Sequence, residues 1–264
     1  MEAIADYTDL RPYGQGDQGT FYLASPPARL GVSGPVLLKV LDVALEPERL
    51  RRVTQELQLF AAVESPYLVR LLDAGHEDGR FFYAVEHLSR GTLAEPAGEL
   101  ERTGILKVVA DAARGAHALH EEGIAHRAIS PAKIVLHDEG GKLADLELAR
   151  FINPGMTVTS VAPVASVEYT DPAIIRGERA GRSSDIWSLG ITLHRAVSGR
   201  SVYGEELPAG DLLGAVRRLL STRPQVADEV DADVAGIVMA CVALDPDDRP
   251  PTALDVAERV EALL

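Results

Sequence analysis

The amino-acid sequence predicts an α+β chain, rich in strands before about residue 88 and mostly helical after it. Three observations lead there. Between Thr8 and Leu88, short runs of β-branched, aromatic and aliphatic residues are separated by glycine and proline, the patterning of strands and turns. Beyond Gly104, apolar residues recur at helical spacing. Finally, Gly14-Gln15-Gly16-Asp17-Gln18-Gly19 runs straight into Thr20-Phe21-Tyr22-Leu23-Ala24, a strand pattern, where a dinucleotide-binding turn would open a helix. That leaves a glycine-rich hairpin over a pocket, or a hairpin that merely needs flexible residues.

The elements follow in order. Val36-Leu37-Leu38-Lys39-Val40 is a strand after the Pro26-Pro27 and Gly31/Gly34 loop. Glu46 to Val63 is a helix, with Leu50, Val53, Leu57 and Phe60 along one stripe. Pro66 to Gly75 and Arg80 to Leu88 read as two strands around the turn Glu77-Asp78-Gly79. From Gly104 to Gly123 a helix carries Ile105, Val108, Val109, Ala112, Ala116 and Leu119 on one side, and Gly123 ends it. Ser183 to Ile191 lies on another helix, with Ser184 or Ser183 as its cap. Further helices are expected at about 207–221, 231–243 and 252–263, punctuated by Pro246 and Pro250-Pro251.

Composition sets the outer limits. The 264 residues are 46% apolar, enough for a large domain or two lobes. With 26 Lys+Arg against 40 Asp+Glu, the net charge of −14 repels phosphate backbones and anionic membranes. The single cysteine, Cys241, lies among apolar neighbours and reads as a buried structural thiol in a reducing, cytoplasmic setting. No apolar run is long enough to span a bilayer, and the acidic first residues are unlike a signal peptide.

The chemistry concentrates in His126-Arg127-Ala128-Ile129-Ser130-Pro131-Ala132-Lys133-Ile134-Val135. This stretch resembles the catalytic loop of eukaryotic-type protein kinases, His-Arg-Asp-Leu-x-x-x-Asn, with the frame kept and the chemistry altered. Ala128 stands at the catalytic aspartate, Ser130 at the usual lysine, and Lys133 at the magnesium-binding asparagine. Val36 to Val40 resembles the strand Val-Ala-Ile-Lys, which makes Lys39 the phosphate-binding lysine and Glu56 its ion-pair partner. Taken singly, Lys39 would be a solvated edge residue and Glu56 a surface glutamate. Glu86-His87-Leu88 takes the place of the hinge between lobes, with Val85 guarding the back pocket.

Lys142 to Arg150 resembles Lys-Leu-x-Asp-Phe-Gly-Leu-Ala-Arg, so Asp145 is the residue that would hold magnesium, while Leu146 and Glu147 replace phenylalanine and glycine. Residues 151–170 match the activation segment, and Thr157 and Thr159 are its candidate phosphosites. Asp171-Pro172-Ala173 stands in for Ala-Pro-Glu. The glutamate that pairs with a late arginine, here Arg249, is missing, and Asp171 is a partial substitute. Ser183 to Ile191 is similar to the family's central helix, whose buried aspartate, Asp185, accepts hydrogen bonds from the catalytic loop.

The matches span nearly the whole chain, which is identified as resembling a bacterial Hanks-type serine/threonine kinase domain in degenerate form. The resemblance implies a bilobal protein-kinase-like fold over residues 1–264. A small β-rich lobe with one long helix would cover about 1–88, and a large helical lobe 89–264. It implies a nucleotide site at Gly14, Gly16, Gly19, Lys39, Glu56, Glu86, Leu88 and Asp145. In that site Phe21 and Leu37 replace the smaller residues that cover adenine, with Val135 below. Leu71, Phe60, Leu146 and His126 are expected to stack as the family's second internal column. The expectation is a pseudokinase that binds ATP and magnesium weakly or not at all. Its expected partners are proteins: an active kinase, and a forkhead-associated domain reading phosphothreonine. The alternative is an active or weakly active kinase.

Overall fold

The computed structural model describes residues 3–16, 19–41, 46–144, 164–207 and 210–264. The described residues fall into two compact units. One comprises Met1–Val63 and Val69–Leu88; the other comprises Glu64–Leu68, Ser89–Glu147 and Met156–Leu264.

The first unit is a sheet of β1 (Ala3–Ile4), β2 (Tyr7–Gly16), β3 (Gly19–Ser25), β4 (Val36–Leu41), β5 (Leu71–Glu77) and β6 (Arg80–Glu86). Its spatial order is β1-β2-β3-β4-β6-β5. Side chains alternate across a strand, so β4 serves both faces. Val36, Leu38 and Val40 pack with Tyr7, Phe82 and Ala84 on one side. On the other, Leu41 joins Phe81 and Tyr83 beneath Val53 and Leu57 of α1 (Pro47–Ala61). Proline at the first helical position gives α1 a start that needs no amide donor. The strand expected from Pro66 begins pairing only at Leu71, and Leu68 instead bridges to Leu143 within the second unit. Strand β1 was not legible, being two residues without alternation.

The second unit holds a hairpin, β7 (Ile134–His137) with β8 (Gly140–Leu143), and five longer helices among its described residues. These are α2 (Arg102–Glu121), α3 (Arg182–Ser198), α4 (Leu212–Ser221), α5 (Ala232–Cys241) and α6 (Ala253–Glu261). Helix α2 is buried on more than its expected stripe, because α3, α6 and β8 all pack on it. After it the chain reverses at Gly123, whose φ of 73° favours glycine, and Ile124 N–H donates to Leu119 C=O at 2.9 Å.

Helix α3 begins at Arg182, one residue before the expected caps. Ser184 closes its first turn from inside, exchanging hydrogen bonds with the Gly181 backbone at 2.9 and 2.7 Å. Asp211 caps α4, which therefore starts later than the expected 207. Cys241 is buried, and burial pushes its thiol up to about 12.

Asp171 resolves the missing-glutamate problem. Its Oδ1 caps the short turn Pro172–Ile175 by accepting Ala173 N–H at 2.9 Å, while Oδ2 meets Arg249 Nη1 at 2.5 Å. Both side chains of this ion pair are nearly inaccessible, 1% and 4% exposed, so the surroundings must satisfy the remaining guanidinium protons. Ala243 C=O and Ser183 C=O accept two of them, and the Trp187 ring lies 5.0 Å away. The bridge to the late arginine forms through a carboxylate supplied two positions earlier in the motif.

Two outcomes follow from these buried groups. Asp171→Ala strands a buried cation, and urea denaturation is expected to show a loss of about 3–5 kcal/mol. His194 is buried on α3, and its Nε2 accepts Ala227 N–H at 3.0 Å, which requires the neutral ring. Burial, then nearby Arg195, holds its pKa below the usual 6.5. The unfolded chain therefore binds this proton more readily, and the stabilisation present above 6.5 is lost as pH falls below it. Urea midpoints between pH 7.5 and 5 are expected to drop in the parent and drop less in His194→Gln, which keeps an acceptor.

Candidate functional site

The loop at His126 is shaped by one carboxylate. Asp185 is fully buried on α3 and accepts three hydrogen bonds: from His126 N–H at 2.7 Å, Arg127 N–H at 2.7 Å and His120 Nε2–H at 2.8 Å. A carboxylate taken out of water is costly unless its lone pairs are filled, and here they are. The two backbone bonds also hold Arg127 at φ 71°, a left-handed conformation that costs a non-glycine residue roughly 1–3 kcal/mol.

His126 is buried in turn, its Nε2 3.0 Å from Ala144 C=O. That contact assigns the proton to Nε2. Further along, Lys133 N–H donates to Ser130 C=O at 2.9 Å, and Ala144 N–H to Lys133 C=O at 2.8 Å. The frame is thus fully braced, yet what it presents is a methyl at Ala128, a buried hydroxyl at Ser130 and a half-buried ammonium at Lys133. Arg127 Nε is buried without a hydrogen-bond partner among the described residues.

The second part of the site is the face of the sheet carrying Lys39. Register places Lys39 opposite both Phe21 and Tyr83, and Leu37 opposite Leu23 and Val85, so these side chains share one face. Lys39 is 4% exposed, and its ammonium lies 5.0 Å from the Phe21 ring centre and 5.8 Å from that of Tyr83. Aromatic faces attract a cation, partly replacing lost hydration. Glu56, its expected partner, is half-buried on α1.

Phe21 also explains a glycine. A Cβ on Gly16 would stand 2.3 Å from the Phe21 ring, which packs against the bare backbone of the hairpin. Gly19 is required for another reason, since a Cβ there would meet Val40 C=O at 2.5 Å. Gly14 has nothing within 4 Å of that position.

At the end of β6, Glu86 is held by Arg70: backbone to backbone at 3.0 Å, and through its carboxylate, which accepts Arg70 N–H at 2.9 Å. Leu88 is half-buried. His87 meets Tyr13 ring to ring, and burial keeps its pKa below the ordinary imidazole range.

The expected residues therefore fall into two described groups. Ala128, Ser130 and Lys133 gather on the Asp185-braced loop; Gly14, Gly16, Lys39, Phe21 and Leu37 gather on the sheet. Asp145, Leu146, Glu147, Thr157 and Thr159 lie outside the described residues. Among those described, no group of three or more His, Cys, Asp or Glu is arranged to hold a metal ion. Sequence reasoning missed His120, Tyr83 and Tyr13. A histidine on the buried side of a helix was a usable signal for the first; the other two depend on strand register.

Comparison with known proteins agrees with this geometry. The protein kinase domain family model matches residues 7–259, and the chain belongs to that family. It is 29% identical over 259 residues to the serine/threonine-protein kinase PrkC of Bacillus subtilis, covering 95% of this chain and 39% of the relative. To PknK of Mycobacterium tuberculosis it is 29% identical over 266 residues, 97% of this chain and 23% of that protein. To PknB of Mycobacterium leprae it is 28% identical over 232 residues, 84% and 37% respectively. The chain spans well under half the length of each. No helix among the described residues is long and apolar enough to cross a membrane.

Asp185→Ala removes the acceptor for all three donors at once. Hydrogen exchange at the His126 and Arg127 amides is expected to accelerate by at least tenfold, with stability falling by about 3 kcal/mol or more. Asp185→Asn, which keeps one acceptor, is expected to fall between.

Proposed function

We propose that this chain is a pseudokinase: a kinase-fold regulatory or scaffolding domain in serine/threonine phosphosignalling, with little or no phosphotransfer and weak or absent ATP binding. The observation that carries the reading is the contrast within the loop. Every backbone brace is present, and the position it holds out is Ala128. In kinases the aspartate there accepts or orients the proton of the attacking hydroxyl. A methyl does neither, and losing a general base typically costs about 10²–10⁴ in rate.

The cofactor side points the same way. Kinases use ATP with magnesium, and magnesium demands oxygen ligands. Lys133 supplies an ammonium and Ala128 nothing, so the described loop contributes no side-chain oxygen for the metal at either position. Phe21 sits against Gly16 and Lys39, where phosphates would need backbone and ammonium. The opposing reading, a weakly active kinase, draws on the retained, buried Lys39 and the intact Asp185 clamp.

On the pseudokinase reading the work is done by protein contacts. Thr157-Val158-Thr159-Ser160 resembles the paired threonines that active kinases modify, which would give a forkhead-associated domain a phosphothreonine to read through arginine. Phosphomapping after co-expression with an active kinase tests this, and an unmodified 151–170 segment would end it.

Two measurements separate the readings. Saturating Mg-ATP at a hundredfold excess over Kd would add about 2.7 kcal/mol of stability, a plain rise in Tm. The expected result is no shift. Transfer from radiolabelled ATP is expected to be indistinguishable from a Lys39→Ala control, whereas turnover that depends on Lys39 would establish the enzyme instead.

A further inference from the structure

We infer that Tyr13 is a latch that fastens the glycine-bearing hairpin across the nucleotide face to His87, closing that face beyond what Phe21 and Leu37 do. The inference rests on the proposed exclusion of nucleotide and names the residue that completes it.

The latch begins with a backbone irregularity. Pro12 pairs with Tyr22 and Gly14 with Phe21, so Tyr13 is the extra residue of a bulge between β2 and β3. A bulge re-aims the side chain it carries, and strands tolerate one where direction matters more than pairing. Regular alternation would give Tyr13 no route to the end of β6.

The bulge sends it there. The Tyr13 and His87 ring centres are 5.5 Å apart and the planes meet at 86°, the edge-to-face geometry aromatic rings prefer. His87 directly follows β6, and the sheet order puts β3 and β4 between β2 and β6. In a flat sheet those three spacings come to roughly 14 Å. Ring contact over that span means the face bearing Leu23 and Leu37 is curled beneath the pair.

The surroundings fit a closed latch. Tyr13 is 49% exposed and His87 is half-buried, so the ring pair lies at the surface of this unit. Leu37 stands in register with Val85, two residues before His87, and Phe21 covers the far end at Gly16 and Lys39. One aromatic blocks the phosphate end and another the hinge end.

The test uses the full chain and Mg-ATP as the probe, with affinity from calorimetry and the fold of each variant checked by its Tm without nucleotide. In a Phe21→Val/Leu37→Ala background, adding Tyr13→Ala is expected to tighten ATP binding at least tenfold over the double variant. Adding Tyr13→Phe, which keeps the ring pair, is expected to leave it unchanged. His87→Ala in the same background opens the latch from the other side, should give the same gain, and serves if Tyr13→Ala does not fold. Equal affinity of the double and triple variants would overturn the latch while leaving exclusion by Phe21 and Leu37 intact. Equal, tight binding by the parent chain would overturn both. Folded triple variants that still fail to bind would show that this ring pair is not what keeps ATP out.

Discussion

A single buried carboxylate organises the part of this molecule that defines its family. Asp185 has no access to water, and three N–H groups must meet it. Two belong to the backbone of the loop. Satisfying the charge therefore fixes the path of His126 and Arg127, including a left-handed residue that would not persist unsupported. The demand is electrostatic and local, and it makes no reference to what the loop does at Ala128. Bracing and chemistry are separate constraints here: the carboxylate fixes the path of the loop whatever side chain stands at position 128.

The same separation is visible at Arg249. A buried guanidinium needs an acceptor, and the motif position that ordinarily supplies it carries Ala173. Asp171 meets the need from two residues earlier, and the cost of burying both ions is offset by carbonyls from Ala243 and Ser183 and by the Trp187 ring. Charge balance in a closed interior is stricter than residue identity. Lys39 is nearly inaccessible too, and two aromatic faces lie near its ammonium.

Periodicity made most of the elements legible: α1, α2 and the strands around Lys39 carry patterns set by which face must be buried. Boundaries followed where a capping side chain acted from the expected place, and slipped where it did not: Ser184, expected at the cap itself, closes its turn from the third helical position, and Asp211 delays α4. The candidate loop was readable because Asp185 and His126 sit in motifs with fixed spacing. Asp171's full partnership and Tyr13's aim were not, because each depends on where a distant residue ends up. A bulge in particular leaves no trace in composition: Tyr13 reads as one more strand aromatic until register removes it from the alternation. Gly19 was expected as a glycine of the nucleotide loop, and the close approach of Val40 C=O adds a second reason for glycine there that only strand register reveals.

If nucleotide is excluded, the consequence for regulation is thermodynamic. A ligand shifts a conformational equilibrium only by its differential affinity for the two states. On the proposed reading, with Phe21 and Leu37 on that face, ATP has little differential affinity to contribute, whatever its cellular concentration. The side chains that fill the face are part of the fold, so the state they stabilise is the resting one. Control must then enter through groups that can still change their contacts: a phosphate added to a hydroxyl, or a protein surface laid against this one. A kinase fold arranged this way would respond to partners and modifications, and would be indifferent to the energy charge of its surroundings.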